Sequence, residues 1–120
     1  MRDETKAWLG QAAEDLDTAE FLLQAGRHEA AALFAQQCAE KALKGHSIET
    51  SSSFKRTHDL VRLGRDAGLP QNMVQGCSAL SAAYTATRYP DAPGRPTAER
   101  AERLVETAKE VLEWVRSQVP

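Results

Sequence analysis

The sequence predicts an all-α fold, an antiparallel four-helix up-and-down bundle with one additional short helix. Apolar residues recur at steps of three and four along most of the chain, and no segment alternates apolar and polar residues with a period of two. Short breaks rich in glycine, proline or serine separate the helical segments, as in helices joined by short turns. The length fits one domain, so we expect residues 1–120 to form a single unit.

The first two helices are predicted over residues 3–24 and about 28–46. The inward stripe of the first helix consists of Leu9, Ala12, Leu16, Ala19 and Leu23. The second helix carries small residues that let a neighbouring helix approach closely, at Ala30, Ala31, Ala32, Ala35, Ala39 and Ala42. The segment 49–56 (ETSSSFKR) has no helical periodicity and is predicted to be a loop.

Three further helices are predicted from their start and stop signals. A short helix begins at Thr57, whose hydroxyl is expected to cap the first turn. Pro70 starts the fourth helix, which ends near Arg88 because Pro90 cannot donate a backbone hydrogen bond. Thr97 is the predicted N-cap of the last helix.

The composition is that of a soluble globular protein, with 27% charged residues and a mean hydropathy of -0.50. No apolar run suits a membrane span or a signal peptide, so we expect a cytoplasmic protein with no membrane partner. Cys38 and Cys77 lie in apolar helical patterns without metal-ligand spacing, and we expect two buried free thiols. No metal or cofactor site is predicted.

The net charge of -2 hides an uneven distribution along the chain. Residues 1–26 contain six acids and two bases, whereas residues 27–96 contain nine bases and six acids. The middle of the chain would therefore attract an anionic ligand. Alternatively, the acids of the first helix balance those bases across the bundle.

Two candidate sites lie in the basic middle part of the chain, before residue 60. On the second helix, Lys41 and Lys44 can form a positive edge for phosphate groups or an acidic partner. The alternative is a solvated face on which Glu40 pairs with Lys44 one turn away. His58, predicted in the first turn of the third helix, can titrate near neutral pH or contact a phosphate, or it is one polar residue of a capped turn beside Asp59.

The third candidate is the segment Arg-Tyr-Pro-Asp at residues 88–91. Arg88 can satisfy the carbonyls at the end of the fourth helix or act as a forked donor to a phosphate. Tyr89 can cover a seam between helices or stack on a base. Asp91 can pair with Arg88 or cap the turn. No phosphate-binding glycine loop, HExxH or GxSxG motif occurs in the chain.

Three segments together resemble the HEPN family (higher eukaryotes and prokaryotes nucleotide-binding), in a branch that carries RYPD. They are AAEDLDTAEFLLQAGRHEAAALFAQQCAEKALKG at 12–45, THDLVRL at 57–63 and RYPD at 88–91, and the similarity extends from Trp8 to about Val115. The resemblance implies a helical bundle that binds nucleotide or RNA as a homodimer. It also implies a minimal nucleotidyltransferase as partner, in a toxin–antitoxin-like pair.

Many HEPN proteins are metal-independent ribonucleases with an Arg and a nearby His at the start of the last helix. In this sequence the histidines are His28, His46 and His58, and none follows Arg88 or Arg95. The catalytic residues are therefore unknown, with Arg88 the candidate if the chain is a ribonuclease.

Three hypotheses remain open at this point. The preferred one is a binding or regulatory homodimer in which Arg88, Tyr89 and Asp91 shape a polar cleft at the dimer interface, with Lys41 and His58 contributing. The second is a divergent ribonuclease toxin with a substitute base. The third is a purely structural dimerisation module. A homodimer is expected because the alanine-rich second helix and the apolar residues at the borders of the first helix suggest more apolar surface than one bundle can bury.

Overall fold

The computed structural model describes residues 1–53 and 56–120. Its helices are α1 (Asp3–Gln24), α2 (His28–Ser51), α3 (Leu60–Ala67), α4 (Gln71–Arg88) and α5 (Ala98–Gln118), and the described residues contain no strand. Four long helices and the short α3 confirm the predicted all-α bundle with one additional short helix. No helix in the described part of the chain is long and apolar enough to cross a bilayer.

Helix α2 lies at the centre of the bundle and contacts each of the other four helices. Its inner surface is made of small side chains that are fully buried, at Ala31, Ala32, Ala35, Ala39 and Ala42. A methyl side chain keeps helix axes close, and this allows one helix to have neighbours on several sides. These alanines are therefore used inside the chain, and they do not provide the dimer surface that the sequence suggested.

Helix α1 packs along α2 through its predicted stripe, of which Leu9, Ala12, Leu16 and Ala19 are buried. The two helices are in close contact at Gly45. A Cβ atom at that position would lie 3.2 Å from Leu9 Cδ2 and 3.3 Å from Trp8 Cβ. Asp3 and Glu4 lie in the first turn of α1, where the helix dipole favours negative charge.

Helix α2 continues to Ser51, so the prediction that it ends near His46 and that residues 49–51 belong to a loop was wrong. Ile48 is buried, and burying it requires another turn of helix. The hydroxyls of Thr50 and Ser51 also donate to carbonyls of the preceding turn, which makes these residues compatible with a helix. Ser52 ends the helix in the left-handed conformation, with φ of 65°. Phe54 and Lys55 of the predicted loop lie outside the described residues.

Helix α3 is capped by Asp59 and not, as predicted, by Thr57. The Asp59 carboxylate accepts a hydrogen bond of 3.2 Å from the backbone N–H of Arg62. The Thr57 hydroxyl instead accepts from the backbone N–H of Asp59, in a short turn before the helix. His58 consequently precedes α3 and does not belong to its first turn.

The remaining predictions about the helices are confirmed. Helix α4 ends at Arg88, and the Thr97 hydroxyl caps α5 by accepting from the backbone N–H of Arg100. Cys38 and Cys77 are buried free thiols. Burial raises the pKa of Cys38 to about 12 and that of Cys77 to about 11, which keeps both thiols protonated at neutral pH.

The contact between α4 and α5 depends on Gly76, because a Cβ atom there would lie 2.5 Å from Thr107 Cγ2. We expect Gly76→Ala to lower the free energy of unfolding by about 1 kcal/mol, since overpacking outweighs the gain in helix propensity. Gly10→Ala is the matched control, because no atom lies within 4 Å of its added Cβ. It should stabilise the chain by about 1 kcal/mol in urea unfolding. Equal stabilisation by both substitutions would contradict the close α4–α5 packing.

Candidate functional site

A polar cleft of about 270 Å³ lies between α2, α4 and the segment 57–59 that precedes α3. Its lining consists of Gln36, Gln37, Glu40, Lys41, His58 and Tyr84. Lys41 and His58 were predicted as site residues from separate parts of the sequence, and the fold brings them together. Lys44, also predicted, follows Glu40 by one turn of α2.

Glu40 is the centre of the polar network beside this cleft. Its Oε1 accepts from Gln36 Nε2 at 3.0 Å. Its Oε2 accepts from Lys44 Nζ at 2.9 Å and lies 2.9 Å from His58 Nδ1. The predicted pair of Glu40 and Lys44 is thus present, but the solvated-face interpretation was wrong, because the two side chains are only 13% and 8% exposed.

The network determines the protonation of Glu40. Burial by itself would raise the pKa of this carboxyl. The hydrogen bonds from Lys44, Gln36 and His58 and the charge of Lys44 together outweigh burial and lower the pKa below its ordinary value of 4.5. Glu40 is therefore a carboxylate at neutral pH, and it is an acceptor that orients the groups around it.

The Glu40 carboxylate fixes the position of His58. The imidazole is 83% exposed, yet its Nδ1 reaches the carboxylate of a largely buried glutamate. In the tautomer that donates from Nδ1, Nε2 is left as an acceptor on the solvent side. The Thr57 and Asp59 turn holds the backbone on both sides of this residue.

Lys41 is held from the other side by α1. Its Nζ donates to Asp15 Oδ2 at 2.7 Å, and the Lys41 side chain is 27% exposed while that of Asp15 is 6% exposed. This pair is one case in which an acid of the first helix balances a base across the bundle, as the charge distribution suggested. An ammonium group has three N–H donors, so Lys41 keeps donors for a ligand in the cleft.

Arg88 does not line the cleft, but it contacts Tyr84, which does. The Arg88 guanidinium carbon lies 5.4 Å from the centroid of the Tyr84 ring, one turn back along α4. This is a cation–π contact, and the ring in turn lines the cleft. Among the described residues no ion pair joins Arg88 to Asp91, so that predicted pairing was wrong.

The rest of the RYPD segment is not part of the cleft lining. Tyr89 is 55% exposed, and Asp91 is also on the surface. The backbone is held by Arg95, which donates from Nη2 to the carbonyl of Tyr89 at 2.8 Å and forms an ion pair with Glu29 of α2. The fold therefore places Arg88 against a ring that lines the cleft and leaves Tyr89 and Asp91 on the exposed turn that follows.

Comparison with known proteins decides the family. A model of the HEPN domain matches residues 5–118. The chain belongs to the HEPN family. No protein of curated function matches the chain.

Two solved structures support the assignment. TT1696 from Thermus thermophilus is 30% identical, with a TM-score of 0.88, and the alignment covers 98% of this chain and 100% of that one. The archaeal HEPN homologue ST0689 is 32% identical, with a TM-score of 0.82, and the alignment covers 99% of this chain and 100% of the other.

Sequence reasoning did not select Gln36 and Tyr84 as site residues of this HEPN domain, and it assigned Glu40 only a pairing role. Gln36 and Glu40 are one turn apart on α2, which was a usable signal for a hydrogen-bonded pair. Tyr84 and Arg88 have the same spacing on α4. That these two pairs face each other depends on the rotation of α2 and α4, which the sequence pattern does not define. Within residues 1–53 and 56–120, no group of His, Cys, Asp or Glu side chains could hold a metal ion.

The lowered pKa of Glu40 makes stability depend on pH. Because the folded-state pKa lies below the unfolded value, the carboxylate stabilises the fold above pH 4.5 and this contribution is lost as the pH falls through the folded pKa. We expect Glu40→Gln to lower the free energy of unfolding by about 1–3 kcal/mol near neutral pH, since Lys44 loses a charged acceptor. The difference from wild type should narrow as the pH falls below 4.5.

Urea unfolding at a series of pH values measures this difference. The exposed Glu113 of α5 provides the matched control, and Glu113→Gln should change the free energy of unfolding by less than about 0.5 kcal/mol. A Glu40→Gln effect that stays constant down to acid pH would show that the carboxylate is not held ionised by its neighbours.

Proposed function

We propose that this HEPN domain, which we assign to the RYPD-containing branch, is a nucleotide- or RNA-binding homodimer. We further propose that it is cytoplasmic and acts with a minimal nucleotidyltransferase partner in a toxin–antitoxin-like pair. The observation that carries the binding part is a cleft lined by an aromatic ring and N–H donors, with the Arg88 guanidinium group in contact with that ring. These are the groups that recognise a base and a phosphate in single-stranded nucleic acid.

The groups of the cleft divide into two kinds. The Tyr84 ring offers a face or an edge to a base, and the amide of Gln37 offers both a donor and an acceptor to its polar edge. Arg88 and Lys41 offer donors to phosphate oxygens. The ligand would then lie with its base against α4 and its phosphate toward the cations.

The charge balance supports an anionic ligand of modest affinity. Lys41, Lys44 and Arg88 bring three positive charges to this region, and Asp15 and Glu40 bring two negative charges. The small positive excess attracts phosphate without making the whole surface basic. Binding that depends on few phosphate contacts should weaken moderately as the salt concentration rises.

The homodimer is proposed on the HEPN resemblance and on exposed apolar groups. Tyr89 is 55% exposed and Phe21 is 71% exposed. The exposed turn of Tyr89 and Asp91 directly follows Arg88, so a second copy docked there would border the cleft. The nucleotidyltransferase partner is proposed on the resemblance alone.

A divergent ribonuclease is the second candidate, and the geometry of His58 favours it. Glu40 orients the imidazole through Nδ1, which leaves Nε2 to accept a proton from a ribose hydroxyl. Arg88 would stabilise charge on the scissile phosphate. Metal-independent cleavage of RNA in excess EDTA, lost in both His58→Gln and Arg88→Ala, would establish this function in place of simple binding.

The binding proposal predicts that Arg88→Ala lowers the affinity for a short single-stranded RNA by about tenfold, since a charged hydrogen bond to phosphate contributes roughly 1.5–3 kcal/mol. Fluorescence anisotropy with a labelled oligonucleotide measures the affinity. Arg103→Ala, on the exposed face of α5, is the matched control and should bind as wild type does. Unchanged RNA affinity of Arg88→Ala would contradict the proposal that the cleft beside Arg88 is the binding site. If the wild-type protein does not bind RNA, the hypothesis of a purely structural dimerisation module would be favoured instead.

The dimer proposal predicts a mass of twice 13.2 kDa by light scattering at micromolar concentration. Tyr89→Asp would place a carboxylate in the proposed interface and should shift the mass toward the monomer. A wild-type mass of 13.2 kDa would contradict the dimer. Arg65→Asp, on the exposed face of α3, changes the charge elsewhere and should leave the mass unchanged.

A further inference from the structure

A second cavity of about 280 Å³ lies on the other side of Lys41 from the polar cleft. It is lined by Ala7, Trp8, Gln11 and Lys41. Lys41 lines both cavities, so the two are neighbours on one face of the molecule, with the ammonium group between them. The lining of the second cavity is largely apolar, and the indole of Trp8 is its one aromatic group.

The two cavities repeat one combination of groups. Beside the cleft, Arg88 lies over the ring of Tyr84 at 5.4 Å from its centroid. Beside the second cavity, Lys44 Nζ lies 6.0 Å from the centroid of the Trp8 ring, although the Lys44 side chain is largely buried and does not line the cavity. Along this face the Tyr84 ring lines the cleft, the Trp8 ring lines the second cavity, and Lys41 lines both.

We infer that this face binds two consecutive nucleotides of a single-stranded RNA, with one base against Tyr84, the next against Trp8, and the phosphate between them on Lys41. Alternating aromatic rings and cations are how proteins hold single strands, because bases stack on the rings while the backbone follows the charges. The inference rests on the proposed function and deepens it, since it selects an RNA strand over a mononucleotide.

The placement of Lys41 suits a phosphate that links two nucleotides. On the α1 side, the largely buried Asp15 carboxylate accepts a hydrogen bond from one N–H group of the Lys41 ammonium. The Lys41 side chain is 27% exposed, and its ammonium group has further N–H donors that a phosphate oxygen can accept from. The Asp15 carboxylate also fixes the position of Nζ, so little side-chain freedom is lost when the phosphate binds.

The fluorescence of Trp8 can report whether a ligand occupies the second cavity. The chain has two tryptophans, and Trp114 lines neither cavity; its ring centroid lies 5.6 Å from that of His46. In a Trp114→Phe background the emission comes from Trp8 alone. Titration of this variant with the dinucleotide ApA should quench the emission, and ApA should bind at least about tenfold more tightly than AMP because the second base stacks on Trp8.

Ala7→Glu tests the second cavity without removing the ring. Ala7 is exposed on α1, so the fold should tolerate the change, while the new carboxylate repels the strand. ApA affinity should fall to that of AMP, and AMP affinity should stay unchanged. Ala98→Glu, at the exposed start of α5, is the matched control and should leave both affinities unchanged. Thermal unfolding of each variant verifies that it is folded.

The outcomes separate the inference from the function on which it rests. If ApA and AMP bind equally and Ala7→Glu has no effect, the nucleotide site stands and the two-nucleotide inference is overturned. If neither probe binds, the proposed function itself fails. If Ala7→Glu halves the mass in light scattering without changing ApA affinity, a second copy of the chain occupies this cavity and the inference is again overturned.

Discussion

The fold depends on the close packing of α2 against four other helices. Its alanines allow this packing together with the buried Leu43 and Ile48, and the longer polar side chains of α2 pair with one another. Gln36, Glu40 and Lys44 do so at successive turns of the helix. Gln36 donates a hydrogen bond to Glu40, and Lys44 forms an ion pair with it. The polar network beside the cleft is thus a consequence of where a central helix can place polar groups. An alanine-rich helix of this kind builds the core and the site together.

Electrostatic pairing is the second consequence. A lysine ammonium group that is partly buried in a helical bundle needs a partner of opposite charge. Here Lys44 pairs with Glu40, and Lys41 pairs with Asp15. The carboxylates reduce the net positive charge, and they also fix where the donors point. The cleft therefore has oriented donors at modest net charge.

The sequence predicted much of the fold and part of the site. Helix α1 and the Thr97 cap follow from local rules, namely apolar periodicity and hydroxyl capping, and both were right. The end of α2 was missed because Ile48 is held by tertiary burial that outweighs the serine-rich composition after it. Helix α3 starts two residues later than predicted because a carboxylate at Asp59 caps better than the hydroxyl before it.

The site shows the same division between local and tertiary information. The pairing of Glu40 with Lys44 follows from spacing on one helix, and it was predicted. The meeting of α2, α4 and the turn that carries His58 depends on how three elements are rotated, and sequence spacing says nothing about rotation. For the same reason the alanines of α2 looked like a surface for a second chain, whereas they are covered by the chain itself.

Chemical-shift mapping of the ¹⁵N-labelled protein with ApA tests the location of the site most directly. The account predicts that the largest amide shifts fall at residues 36–44, 57–59 and 84–88, with smaller ones at residues 7–11. Shifts concentrated on the outer face of α5 or near residues 26–30, with none around Glu40, would contradict the account.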